Sequence, residues 1–139
     1  MVYIIWSKHR DCVVNIVQTL DEVKQHGATI EEELDSFSLY DKDEIIYYCH
    51  AELDVKHHIY IFTFTESGGG SYHNIQYVRL SNSYDEILEV ATDFFINESE
   101  DSEQSNIDQM LIELKANAEY EIPNGRSYEC GMYLKRVLF

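Results

Sequence analysis

Six histidines and three cysteines are the residues of this chain best suited to chemistry, and their spacing argues against most of it. His57 and His58 are neighbours, so in an extended segment they point to opposite faces and cannot share one ion. His50 and His73 could meet across a sheet, but no carboxylate or cysteine spacing accompanies them and no His-Glu-x-x-His is present. Cys49 beside His50 has the same fault as a nucleophile and base pair, and reads as a core residue. Glu100-Asp101 falls in a polar stretch with no apolar pocket to raise a carboxyl pKa, which general acid work requires. Gly68-Gly69-Gly70 lacks the following Lys and helix of a phosphate-binding loop and reads as a hairpin loop able to serve as a contact. No catalytic residue, metal ligand or cofactor site is expected, and the chain is not expected to be an enzyme.

The chain has 139 residues, 45% of them hydrophobic, enough for one folded domain over residues 1–139 with a core that needs no metal or disulfide. Its 26 acids face 10 Lys and Arg, for a net charge of −16. Phosphate binding needs Lys and Arg clusters, so nucleic acid is not expected as a direct ligand, nor is an anionic membrane. The field instead favours encounter with positively charged partners. Cys12, Cys49 and Cys130 are odd in number and form no CxxC pair, which suggests a reducing, cytoplasmic setting. The first residues, Met-Val-Tyr-Ile-Ile-Trp, do not resemble a signal peptide, and no apolar run has the length of a membrane span.

Three runs rich in β-branched and aromatic residues, 44–53, 58–65 and 74–80, predict consecutive strands of an antiparallel meander. In the second run Tyr60, Phe62 and Phe64 share a face that is expected to be the core side. Val2 to Trp6 and Cys12 to Val17 predict a further hairpin, and Ser127 to Phe139 a C-terminal strand. Capping boxes at Thr19 to Glu22, Thr29 to Glu32 and Ser83 to Glu86 predict three helix starts: a short one ending near Gly27, one from Ile30 to about Phe37, and one burying Ile87, Val90, Ala91 and Phe94. Ile107, Met110, Leu111, Leu114 and Ala118 share a face of another helix. The expected fold is α+β, a central antiparallel sheet of about five to six strands with about two to four helices packed on it.

The charge is unevenly placed. Between Ser81 and Leu114 there is no Lys, Arg or His, while Asp85, Glu86, Glu89, Asp93, Glu98, Glu100, Asp101, Glu103, Asp108 and Glu113 are all acidic. A second group surrounds Glu31, Glu32 and Glu33, whose acids would also suit the first turn of a helix. Solvated helices commonly mix Glu with Lys at i, i+4 for about 0.2–0.5 kcal/mol per pair. Omitting the basic half either tolerates repulsion or uses the field, and the length of the stretch favours use.

Small size, an antiparallel sheet with a few helices, reduced cysteines and dense acidic segments together resemble the immunity proteins of bacterial toxin systems, including those of contact-dependent inhibition. The resemblance is one of overall character along the whole chain and transfers no residue. It implies a basic toxin domain as partner, often a nuclease, blocked at its active site or an adjacent surface. On the charge pattern the partner-binding candidates are Glu98, Glu100, Asp101 and Glu103, then Glu31, Glu32 and Glu33, with Tyr72 in the glycine loop as an aromatic anchor. A phage protein that imitates the charge of DNA, and an oligomeric adaptor, are the alternative readings.

Overall fold

The computed structural model describes residues 1–7, 15–31, 36–38, 46–51, 58–68, 74–123 and 129–138. In chain order they form β1 (Val2–Ser7), β2 (Asn15–Val17), α1 (Leu20–Gln25), β3 (Ile30–Glu31), β4 (Ser36–Ser38), β5 (Ile46–Ala51), β6 (His58–Ser67), β7 (Asn74–Ser81), α2 (Tyr84–Glu98), α3 (Gln104–Asn117), β8 (Glu119–Glu121) and β9 (Glu129–Leu138). The fold is α+β, as the sequence predicts, but the strands divide between two sheets. One has the order β2-β1-β5-β3 and the other β4-β7-β6-β9-β8.

The division corrects the expected meander: β6 and β7 pair antiparallel, whereas β5 pairs with β1 and β3 in the other sheet. The reason lies in β6, which is apolar on both faces. Phe62 and Phe64 on one face and Ile59 and Ile61 on the other are all buried, so the aromatic face is only half of the core. A strand buried on both sides needs a layer on each. Phe62, Phe64, Cys130 and Met132 pack under α2 and α3 against Ile87, Ala91, Phe95, Met110 and Leu114. Ile59, Ile61 and Val78 pack against Val2, Ile4, Trp6, Tyr47 and Cys49 of the smaller sheet. The far face of that sheet, with Ile5 and Val17, is closed by Val23 of α1 and by Ala28. The order of layers is therefore α2 and α3, five-stranded sheet, four-stranded sheet, α1.

Local signals place several elements as expected. The β1–β2 hairpin forms with Ile4 opposite Ile16. Thr19 caps α1, its Oγ1 accepting from the Glu22 amide at 3.3 Å and donating to Glu22 Oε1 at 2.8 Å. The helix stops at Gly27, whose φ of 77° a side chain would oppose. At α2, Ser83 Oγ accepts from the Glu86 amide at 3.3 Å, and Ser81 completes the turn by accepting from the Ser83 amide and donating to Glu86 Oε2.

The helix expected from Ile30 to Phe37 gives way to strand at both of its described ends. Ile30–Glu31 runs parallel to β5 opposite Tyr47 and Tyr48, and Ser36–Ser38 runs antiparallel to β7. Both pieces find backbone partners on sheet edges, and ladder hydrogen bonds of that kind override a local capping signature. Glu31 thus lies beside a strand rather than in a helical first turn. Ala118, expected on the apolar face of α3, instead ends that helix in the left-handed region at φ 60° and is exposed.

Candidate functional site

The acids of the Ser81–Leu114 stretch fall where burial of the opposite faces forces them. Ile87, Leu88, Ala91 and Phe95 of α2 and Ile107, Met110 and Leu114 of α3 turn inward. Asp85, Glu86, Glu89, Asp93 and Asp108 stand exposed on the outer faces. Between the helices lies an open groove of about 310 Å³ lined by Asp85, Leu88, Glu89, Thr92, Asp93 and Leu111. Its apolar floor and three-carboxylate rim suit a Lys or Arg side chain, whose stem is apolar and whose head is charged.

The connector from α2 to α3 is a tied turn. Ser99 is buried, its Oγ donates to the Asp101 carbonyl at 3.0 Å and accepts from the Asp101 amide at 3.2 Å. Asn106 Nδ2 donates to the same carbonyl at 3.3 Å, and the Asn106 and Ile107 amides donate to the Glu103 carbonyl. Glu100, Asp101 and Glu103 are exposed on this turn, held there before any partner arrives. Glu98 differs from them. It is the last residue of α2 and is half-buried, with its side chain beside the five-stranded sheet rather than on the turn that carries the other three.

The second acidic group does not join the first. Glu31 lies on the α1 side of the four-stranded sheet, where its Oε1 meets His50 Nδ1. Two further layers separate it from α2 and α3. Glu32, Glu33 and Tyr72 lie outside the described residues.

The structure instead brings forward a second acidic surface that sequence reasoning missed. On the face of the five-stranded sheet turned away from α2 and α3, β8 and β9 present Glu119, Glu121, Glu129 and Tyr133. The smaller sheet covers this face at Ile59, Ile61 and Val78, and Tyr133, past that cover, is 42% exposed. At the β8 edge of the sheet Glu113 and Asn117 of α3 line one open cleft with Glu119, Tyr120, Glu121 and Tyr133, and Thr65, Ser67, Glu129 and Gly131 help to line its neighbour. Gly131 is required at this point, because a Cβ would lie 2.9 Å from Tyr133 Oη and 3.2 Å from Thr65 Oγ1. The ring of Tyr133 occupies the space that the missing side chain leaves. The sequence signal was the alternation Glu119-Tyr120-Glu121, a three-residue strand too short to stand out.

One group of potential ligands is also assembled from distant segments. Glu66 of β6, Glu98 of α2 and Cys130 of β9 place a ligand atom each within 4.8 Å of one another. Glu66 and Cys130 are directly opposite in the β6–β9 ladder and are 7% and 4% exposed. Burial pushes the Cys130 thiol up to about 12, with the charges of Glu98 and Glu66 acting in the same direction. Cys49, expected as core, is buried, and burial likewise pushes its thiol up to about 12.

No family model matches the chain, and no curated protein or solved structure is similar to it. What the fold and surface define is a layered α+β domain with two acidic surfaces, one helical and one stranded, that adjoin at Glu113 of α3. No described helix is long and apolar enough to cross a membrane.

Proposed function

We propose that this protein binds and neutralises a basic protein partner, in the manner of an immunity protein that covers the active site of its toxin or a surface beside it. The observation that carries the reading is the α2–α3 layer, in which ten acids between Ser81 and Leu114 meet no basic residue of the same stretch, and whose connector is already ordered. A field of one sign over a prearranged surface speeds association with a partner of the opposite sign and adds specificity. A toxin that handles nucleic acid reserves positive groups for phosphates, and carboxylates on a fixed scaffold can occupy those places. Tyr133 supports the reading as an exposed aromatic within an acidic surface, the kind of residue that anchors an interface. Cys49 and Cys130 are buried as thiols rather than joined in disulfides, which supports a reducing compartment.

The test is a pull-down with the tagged chain from nuclease-treated lysate of the native host, washed at low salt and eluted in salt steps. One basic protein at one-to-one stoichiometry, whose toxicity the chain suppresses, is the expected result. Several DNA-binding proteins displaced by free DNA would replace the reading with that of a DNA mimic. Absence of any partner would leave the acidic faces as solvation.

A further inference from the structure

Glu66, Glu98 and Cys130 come from three elements far apart in sequence and meet on the helix-facing side of the five-stranded sheet. Cross-strand placement fixes two of them: opposed residues in an antiparallel ladder hold their Cβ atoms about 4.5–5.5 Å apart, so Glu66 and Cys130 cannot drift from one another. The third arrives at the end of α2. That helix has no basic residue in its last turn, so the negative end of its dipole adds to the field of the two carboxylates. Both sheet residues are more than nine-tenths buried. Water therefore screens little of the charge gathered here.

We propose that these three side chains form a site for a zinc-type divalent cation, with the fourth position left to water or to another ligand. The donor set decides the class of metal. A thiolate beside two carboxylates suits zinc or cobalt, whereas calcium and magnesium take oxygen ligands alone. Zinc bonds of about 2.0–2.2 Å to carboxylate and about 2.3 Å to thiolate place tetrahedral donors roughly 3.4–3.7 Å apart. The present spread of up to 4.8 Å must therefore contract by about 1 Å when the ion binds. On binding, Cys130 releases its proton to solvent and forms the sulfur–metal bond, and the cation offsets the two carboxylate charges. The ion would tie the end of α2 to β6 and β9, next to the connector that carries Glu100, Asp101 and Glu103. The site stands independently of the partner reading.

The experiment uses the full chain, stripped with a chelator and titrated with cobalt, which reports a thiolate ligand by its sulfur-to-metal absorption. One cobalt per chain, displaced by zinc, and a rise in melting temperature with zinc are expected. Cys130→Ser should remove the absorption, while Cys49→Ser and Cys12→Ser should retain it. Glu98→Gln, at a half-exposed position that tolerates the change, should weaken zinc binding by about tenfold or more, as loss of a metal-supporting group does. Circular dichroism of each variant confirms that it is folded. Absence of the absorption at large excess of cobalt, its survival in Cys130→Ser, or an unchanged zinc affinity in Glu98→Gln would each overturn the site.

Discussion

The two faces of β6 part company halfway along the strand. On the helix side, Phe62 and Phe64 are sealed beneath Phe94 and its neighbours, with the Phe64 and Phe94 ring centroids 4.8 Å apart. On the other side, Ile59 and Ile61 are sealed by the smaller sheet, but Thr63, Thr65 and Ser67 are only half-buried. The two faces grade in opposite directions: the helix side is half-buried at His58 and Tyr60 and buried from Phe62 on, while the other side passes from core to surface at Thr63. The five-stranded sheet therefore offers a floor for recognition only on its open half. There Tyr133 and three acids stand, while the helices supply a second surface of carboxylates around the small apolar floor of Leu88 and Leu111.

The sharpest way to break that contrast is to empty each face in turn. Phe64→Ala should cost about 3–5 kcal/mol in urea denaturation, the range for deleting a fully buried aromatic ring. Thr65→Ala, one residue on and facing the other way, should cost less than about 1 kcal/mol. Equal losses would mean that the open half of the sheet is covered after all.

Alkaline pH tests the sealed part of the other face, where Cys49 lies against Ile4 and Trp6. Its thiol is raised from 9.0 to about 12 in the folded chain. Between those values the unfolded chain has lost the proton and the folded chain keeps it, so stability falls as pH rises through that window. The slope should reach at most about 1.4 kcal/mol per pH unit for the one group. Cys130, raised over the same window, adds a slope of its own, so Cys49→Ala should roughly halve the dependence, and iodoacetamide at neutral pH should leave native Cys49 unmodified. Rapid labelling would show that the two sheets part readily.

The two acidic surfaces should separate kinetically once a partner is in hand. Charge reversal of Glu100, Asp101 and Glu103 to Lys should slow association about tenfold at low salt and flatten its salt dependence, with dissociation little changed. Tyr133→Ala should do the reverse, speeding dissociation about tenfold with association unaltered. The same signature from both variants would merge the surfaces into one interface, and no effect from Tyr133→Ala would restrict contact to the helices.

Local features were legible in the sequence and distant ones were not. Thr19, Gly27 and Ser83 act on backbone groups within a few residues, so their signatures can be read without knowledge of the rest of the fold. The capping box at Thr29 is as well formed by type, yet Ile30 and Glu31 take partners from β5 and Ser36–Ser38 from β7. No local pattern announces an edge supplied by another segment. The same holds for Glu66, Glu98 and Cys130, which metal-ligand spacing rules pass over because three different elements deliver them. The apolar Ile59 and Ile61 did carry a legible sign of the second sheet, and it was outweighed by the aromatic face beside them.

The smallest effect expected concerns the two helix starts that bound the acidic layer. Ser83 accepts a hydrogen bond from the Glu86 amide, and Ser83→Ala should cost about 1 kcal/mol. Glu103 occupies the same position before α3 and makes no capping hydrogen bond with its side chain. It gains only from the positive end of the helix dipole, about 0.3–1 kcal/mol. Glu103→Ser supplies the cap and removes one negative charge from a crowded turn, so it should raise stability by about 0.5 kcal/mol in the same denaturation assay. A chain that keeps Glu where Ser would hold the helix better is giving up stability at the turn that the proposed function uses. Glu103→Ser should therefore slow association with the basic partner even as it steadies α3. A variant that is both more stable and equally fast to associate would return Glu103 to the solvated surface and leave Glu100 and Asp101 to carry the contact.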